Sequence, residues 1–347
     1  PPFYEAYTIY GLSMSCWPDA TLFRDEEGGE QCSRDALLTV LGDEPVRIQA
    51  LDDHFFRLVF CKPASSLMQR RGLLEGSLPL LSFILGARLS VVREEVFSLD
   101  GEILQERYLH TTHSYDSAAY MSPIFTSAGS QEFFRLGRII ADLYPRYTYW
   151  KERIFLDEAI FHKMAAERLP TESKFAMLAV SFETLSSSYA RHTQGHPSAN
   201  GDSTYLDKAQ FRQVIRPLVA QFQTVVGPML RDKTLLASMI GKLYAVNNRA
   251  MQDRFRSLFS DLGILTNDRE QEVLEKRNSA IHEGVLDRNR EHIALQRVVD
   301  LEATMMVLVN RIILGLLGFE GHFIDYATRG YPDVQMGKRA ESPESVS

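Results

Sequence analysis

The apolar residues of this chain change their repeat near residue 131, and that change sets what the chain can fold into. Before it, apolar runs are short and strand-like. Residues 57–60 read as a strand, and 87–98 and 103–111 read as two more around Asp100-Gly101. Both turn residues tolerate positive φ, so Asp-Gly between two such runs predicts a hairpin. Residues 73–85, closed by Gly86, predict a helix. After the change the period is helical. Phe133, Leu136, Ile140 and Leu143 form one stripe that Pro145 is expected to stop. Further helices are expected at 151–168, before Pro170, and at 172–189, with Phe175, Leu178, Phe182 and Leu185 on one face. Another is expected at 206–226, where Phe211, Val214, Leu218 and Phe222 stand at core spacing. Shorter ones follow at about 229–243 and 248–260. Residues 192–203, rich in Gly, Pro, Ser and Asn, predict a loop.

This pattern predicts an α+β protein with a mixed α/β region over 1–130. A connecting helix over 131–150, a helical region over 151–320 and a flexible polar tail over 332–347 follow. Two domains suit a chain of 347 residues. A net charge of −7 argues against a general coater of nucleic acid, but not against RNA held at a local basic site. Cys16, Cys32 and Cys61 are few and odd in number, which fits reduced thiols in a cytoplasmic setting. No C-x-x-C, signal-peptide pattern or glycine-rich phosphate loop is present. The longest apolar run, 305–317, is interrupted by Asn310 and Arg311, so no membrane span is expected. The sequence opens on Pro1-Pro2 without Met, and residues are expected to precede it.

The one segment with reactive side chains at an unusual spacing is Glu275-Lys276-Arg277-Asn278-Ser279-Ala280-Ile281-His282-Glu283-Gly284. Asn267 and Glu270 predict a capping box opening its helix, and Gly284 is a natural end. Asp287 is a candidate cap for a last helix reaching about residue 317. Arg277 supplies fixed charge and a planar fork for phosphate oxygens. His282 can take and give a proton near neutral pH. Arg followed five or six residues later by His also occurs at Arg107…His113 and Arg191…His196. Asn directly after the Arg makes a chance match a matter of about a few per cent. Asn278 and His282 share a helix face, whereas Arg277 and His282 stand about 140° apart on an ideal helix. Distortion of the helix or a second copy is needed to bring them together. The plainer reading is a surface helix end with a capping His.

Arg277-Asn278-x-x-x-His282 in a helical region followed by a long last helix resembles the HEPN superfamily. The similarity is to its larger defence-associated members and covers about 150–320. The phrase Ser181-Phe182-Glu183-Thr184-Leu185 adds to it. The resemblance implies a helical bundle, commonly a homodimer joining two motifs in one cleft or a higher homo-oligomer, and a ribonuclease that needs neither metal nor cofactor. It implies Arg277 and His282 as the catalytic pair, Asn278 as their polar neighbour and Glu183 as an acidic partner orienting the Arg. One subclass has a Tyr two residues after the His, where this chain has Gly284. The implied activity is endoribonucleolytic cleavage by attack of a ribose 2′-OH, as in a toxin or anti-phage effector. Its RNA, tRNA included, is unnamed by the sequence. A phage-derived or cellular trigger would act on the N-terminal region.

Lys276, Arg288, Arg290 and Arg297 are candidates for a basic strip along the RNA backbone, or for a solvated helix face. The alternative function is a catalytically silent HEPN-like module that binds a nucleotide, RNA or a protein. His110 and His113 are weak metal-ligand candidates with no third ligand nearby. Tyr147, Tyr149 and Trp150 suit base stacking or, more simply, packing. Met305 and Met306 read as core.

Overall fold

The computed structural model describes residues 3–10, 19–24, 30–51, 55–64, 67–109, 124–125, 135–193, 206, 208–230, 233–245, 251–283 and 295–336. They fold as α+β. Seven antiparallel strands make one sheet: β1 (Tyr4–Tyr10), β2 (Asp19–Arg24), β3 (Glu30–Leu41), β4 (Glu44–Ala50), β5 (Phe55–Phe60), β6 (Ser90–Phe97) and β7 (Ile103–Tyr108). Their order is β2-β3-β4-β5-β1-β6-β7, so β1 lies between β5 and β6. Tyr7 stands opposite Leu58 on one side and Glu94 on the other, and Ile48 opposite Leu58 and Leu37. Directly opposed residues share a face, and Leu37, Ile48, Leu58 and Tyr7 are all buried.

The expected hairpin is present as β6 and β7. Gly101 takes φ +85, and the Ser98 amide donates to the Glu102 carbonyl at 2.8 Å. The expected strand at 57–60 is the end of β5. The predicted helix before Gly86 is α1 (Leu67–Leu85), which begins earlier than its apolar run. It closes in a Schellman turn, with the Ala87 amide on the Ser82 carbonyl at 3.1 Å and Gly86 at φ +71.

α2 (Leu136–Lys151) runs straight through Pro145, which was expected to stop it. Packing overrides the local breaker: beyond the proline, Tyr147 is buried, its hydroxyl donates to Asp157 at 2.6 Å and its oxygen lies 2.9 Å from the Gly76 carbonyl. At its other end α2 meets β3 closely. The Thr39 hydroxyl donates to the Gly137 carbonyl at 2.7 Å. The helix expected over 151–168 is shorter, because Lys151 ends α2 and a turn at 152–155 precedes α3 (Leu156–Ala166).

α4 (Thr171–Thr193) buries Phe175, Leu178, Phe182 and Leu185, the expected face. α9 (Leu295–Leu317) is buried along most of its length, Met305 and Met306 included. A chain of ionic contacts ties three helices. Lys163, fully buried on α3, lies 3.5 Å from Glu167; Lys174 of α4 lies 3.1 Å from Glu167 and 2.7 Å from Glu302 of α9. Burial lowers the Lys163 pKa and raises that of Glu302. Beyond α9, β8 (His322–Ile324) pairs with β9 (Asp333–Gln335). Residues 333–335 therefore pair as a strand where a flexible tail was expected from 332.

The chain forms two compact units that divide it differently from the sequence-based scheme. One comprises residues 1–184 and 263–347, the other 185–262. The first joins the sheet to α1–α3, most of α4 and α9, because α2 lies on β3 and α3 on α1. The second holds the end of α4 with α5 (Lys208–Val226), α6 (Lys233–Ala245) and α7 (Met251–Asp261). Within it the Tyr189 hydroxyl donates to Asp261 at 3.1 Å. The seam of α5 is rotated from expectation. Ile215 and Val219 are buried, whereas Val214 and Leu218, expected in the core, are exposed. Among the described residues from 206 to 317 there is no strand.

Candidate functional site

The motif stands on α8 (Asp268–Glu283), in the first compact unit. Its start is built as the sequence predicts. The Asn267 amide donates to Glu270 at 2.8 Å and the Glu270 amide to the Asn267 side chain at 2.9 Å. That reciprocal pair satisfies two amide donors at the helix start. The other Glu270 oxygen accepts from Arg311 of α9, whose second nitrogen donates to the Leu265 carbonyl at 2.9 Å. Arg297 of α9 pairs with Glu272. Two arginines of the last helix thus fix the first turns of α8.

From that start the helix turns one stripe inward. Glu270, Val273, Leu274, Arg277 and Ala280 are buried, at the three- and four-residue spacing of one helix face. Arg277 therefore lies on the core side, 4 % exposed. One of its terminal nitrogens donates to the Leu274 carbonyl, and its Nε lies 3.7 Å from Glu183 on α4. Burial lowers its pKa, and the Glu183 carboxylate opposes that shift. Glu183 remains partly exposed on a helix whose neighbouring Phe182 and Leu185 are fully buried, and the Ser181 hydroxyl donates to the Ala159 carbonyl at 2.7 Å. The phrase around Glu183 thus packs α4 on both sides of the carboxylate.

The structure brings Glu183 to Arg277. Asn278, the next residue and about 100° further round α8, is exposed, and Lys276 is half-buried. The backbone of α8 passes through residue 282. The side chain of His282 lies outside the described residues, as do Arg288, Arg290, Gly284, Asp287, His110, His113 and His196. Arg297 faces partly to solvent and is engaged by Glu272. Tyr149 and Trp150 meet edge to face at 5.1 Å, with the Arg153 guanidinium 3.8 Å over the Tyr149 ring.

Sequence reasoning missed the partners that position the motif helix. Arg311 with Glu270 and Arg297 with Glu272 are ion pairs between segments 41 and 25 residues apart. Asn310 and Arg311 carried the signal, as two polar residues inside an apolar helix. Asn310 is fully buried, and neither its amide nitrogen nor its oxygen has a hydrogen-bond partner among the described residues. Among those residues no three His, Cys, Asp or Glu side chains gather as metal ligands, and no helix is long and apolar enough to cross a membrane. No family model, curated protein or solved structure matches this chain.

Proposed function

We propose that the chain is a metal-independent endoribonuclease of the HEPN type. The observation that supports it is the Arg277-Asn278-x-x-x-His282 spacing on a helix whose Arg is met by Glu183 from another helix. In the proposed reaction the ribose 2′-oxygen bonds to the adjacent phosphorus and the bond from phosphorus to the 5′-oxygen breaks. The products are a 2′,3′-cyclic phosphate and a 5′-hydroxyl. His282 takes the 2′ proton or gives one to the leaving oxygen, or does each in turn across a homodimer. Arg277 stabilises charge on the phosphate oxygens, and Glu183 holds its guanidinium. The requirement for a 2′-OH selects RNA over DNA. The setting that fits is a cytoplasmic toxin or anti-phage effector, restrained or triggered through the sheet-bearing region.

One observation favours a second reading. Arg277 is 4 % exposed and already carries an acidic neighbour. A guanidinium so placed serves packing well and meets a phosphate only after α4 and α8 part. In that reading the region is a silent HEPN-like module binding a nucleotide, RNA or protein.

Incubating the purified chain with total RNA in EDTA separates the two. Cleavage with cyclic-phosphate or 3′-phosphate ends is expected, and His282→Ala should lower it by about 10²–10⁴-fold while circular dichroism stays unchanged. Full cleavage by a folded His282→Ala protein would end the catalytic reading. A His282 that only caps its helix predicts loss of about 1 kcal/mol of stability and no loss of activity.

A further inference from the structure

The two compact units differ in charge. Residues 185–262 carry ten Lys and Arg against five Asp and no Glu, a balance of +5. The chain as a whole is −7, which leaves −12 for the remainder. Several bases of the larger unit are paired: Arg57, Arg70, Arg93, Arg277, Arg297 and Arg311 all sit in ion pairs, while Arg135, Arg269 and Arg329 of that unit are exposed. In the smaller unit Arg212 and Arg216 on α5 and Lys242 on α6 are exposed. None of those three makes an ion pair among the described residues. Asp261, an acid of that unit whose side chain is described, is engaged by Tyr189.

We propose that the 185–262 unit is a docking surface for the phosphate backbone of single-stranded RNA, with Arg212 and Arg216 as its central contacts. The two arginines are four residues apart on one helix, so they share a face about 5–6 Å apart. Successive phosphates of an extended strand meet such a pair as two separate charge-assisted contacts. The layout of α5 disfavours a membrane. Its exposed apolar residues Val214, Leu218 and Val225 lie about 160° round the axis from the arginine pair. The buried Ile215 and Val219 stand between the two. A helix resting on lipid needs its apolar face down and its bases flanking that face, and here the face between them is already used. The surface goes beyond the proposed catalytic motif and does not depend on cleavage.

The test uses the full chain and a labelled single-stranded 2′-O-methyl oligonucleotide, which cannot supply the attacking hydroxyl. Fluorescence anisotropy across a salt series should show binding that weakens with salt. Arg212→Glu combined with Arg216→Glu should weaken it at least about tenfold and flatten the log–log salt slope by about 1.4, as expected for two lost phosphate contacts. Arg212→Gln with Arg216→Gln, milder at two exposed positions, should weaken it in the same direction with an unchanged circular dichroism spectrum. Arg138→Glu with Arg329→Glu makes the same change in net charge on the other unit and should have a much smaller effect. Affinity indifferent to Arg212 and Arg216, or equal loss in the control, overturns the proposal. So does arginine-dependent binding to phosphatidylserine vesicles without binding to the oligonucleotide. Arginine-dependent binding together with intact, uncleaved natural RNA would uphold the docking surface and sink the ribonuclease reading. Cleavage by a chain whose binding ignores the arginines would do the reverse.

Discussion

Gly137 sits in the first turn of α2, where an added methyl would lie 1.8 Å from the Leu38 carbonyl oxygen. The obstacle is backbone, which cannot swing aside, so Gly137→Ala should lift α2 from β3. A loss of about 1–3 kcal/mol is expected, in the range of overpacked cores, read as a lower urea midpoint at unchanged slope. Gly72, exposed on α1 with nothing within 4 Å of an added methyl among the described residues, is the control. Gly72→Ala should gain about 0.5–1 kcal/mol. A Gly137→Ala protein as stable as the parent would mean the α2–β3 approach is looser than described. Glu5 poses a different problem at the same scale. It is fully buried on β1, and one of its oxygens has no hydrogen-bond partner among the described residues. Burial pushes its pKa up to about 7 from 4.5; the Tyr7 hydroxyl bonded to it and Arg70 act the other way, and Glu94 and Glu44 add to the rise. The fold therefore accommodates the neutral acid. Its contribution to stability is fully present below pH 4.5 and is lost as pH rises through about 7, by at most about 3 kcal/mol. Glu5→Gln keeps the shape without the charge. It should flatten the fall in melting temperature between pH 5 and pH 8, about the span where the acid ionises. An unchanged pH profile would show that some other group sets it.

Among the elements, α8 shows what was legible and what was not. Its capping box was readable because Asn267 and Glu270 are three residues apart and the interaction is local. The inward stripe was not, because Glu270 and Arg277 carry charge at core positions and disguise it. The Glu183 contact was expected only through the family likeness. Its burial depends on which face of α8 turns inward, which a single sequence does not reveal. The same limit hid most of the sheet. β1 carries Glu5 at a buried position, which breaks the apolar alternation by which a strand is recognised. On α5, Val214 and Leu218 have the same period as Ile215 and Val219 one residue on, so spacing could not choose the seam. The double role of Glu270 gives a test. Asn267→Ala removes one cap and should cost about 1 kcal/mol. Glu270→Ala removes a cap and strands the buried Arg311, so about 3–5 kcal/mol is expected. Equal losses in urea denaturation would show that Arg311 does not rely on Glu270.

At the scale of the whole molecule, the helical region is not a body added to a finished sheet. The larger unit takes its core from both sides of residue 150. α2 supplies Leu136, Ile140, Leu143 and Tyr147, and α3 supplies Leu156, Ala159, Ile160 and Met164. α9 lies against α2 and α3, and α3 against α1. A boundary drawn at 150, where the sequence-based scheme ends the connecting helix and begins the helical region, cuts through this packing. Each large apolar side chain freed from burial costs about 1.5–3 kcal/mol, and a domain has only about 5–15 kcal/mol in total. A few such exposures along α3 and α9 are enough to unfold what remains. The fragment 151–320, expressed alone, should therefore lack a cooperative thermal transition and bind a hydrophobic dye, although its helices are locally competent. Extending it back to residue 135 restores α2 but leaves that helix without β3, so recovery should be partial at most. A sharp melt of the 151–320 fragment, with the helical signal those residues show in the full chain, would restore the boundary at 150. It would also show that the sheet and the motif-bearing helices fold independently.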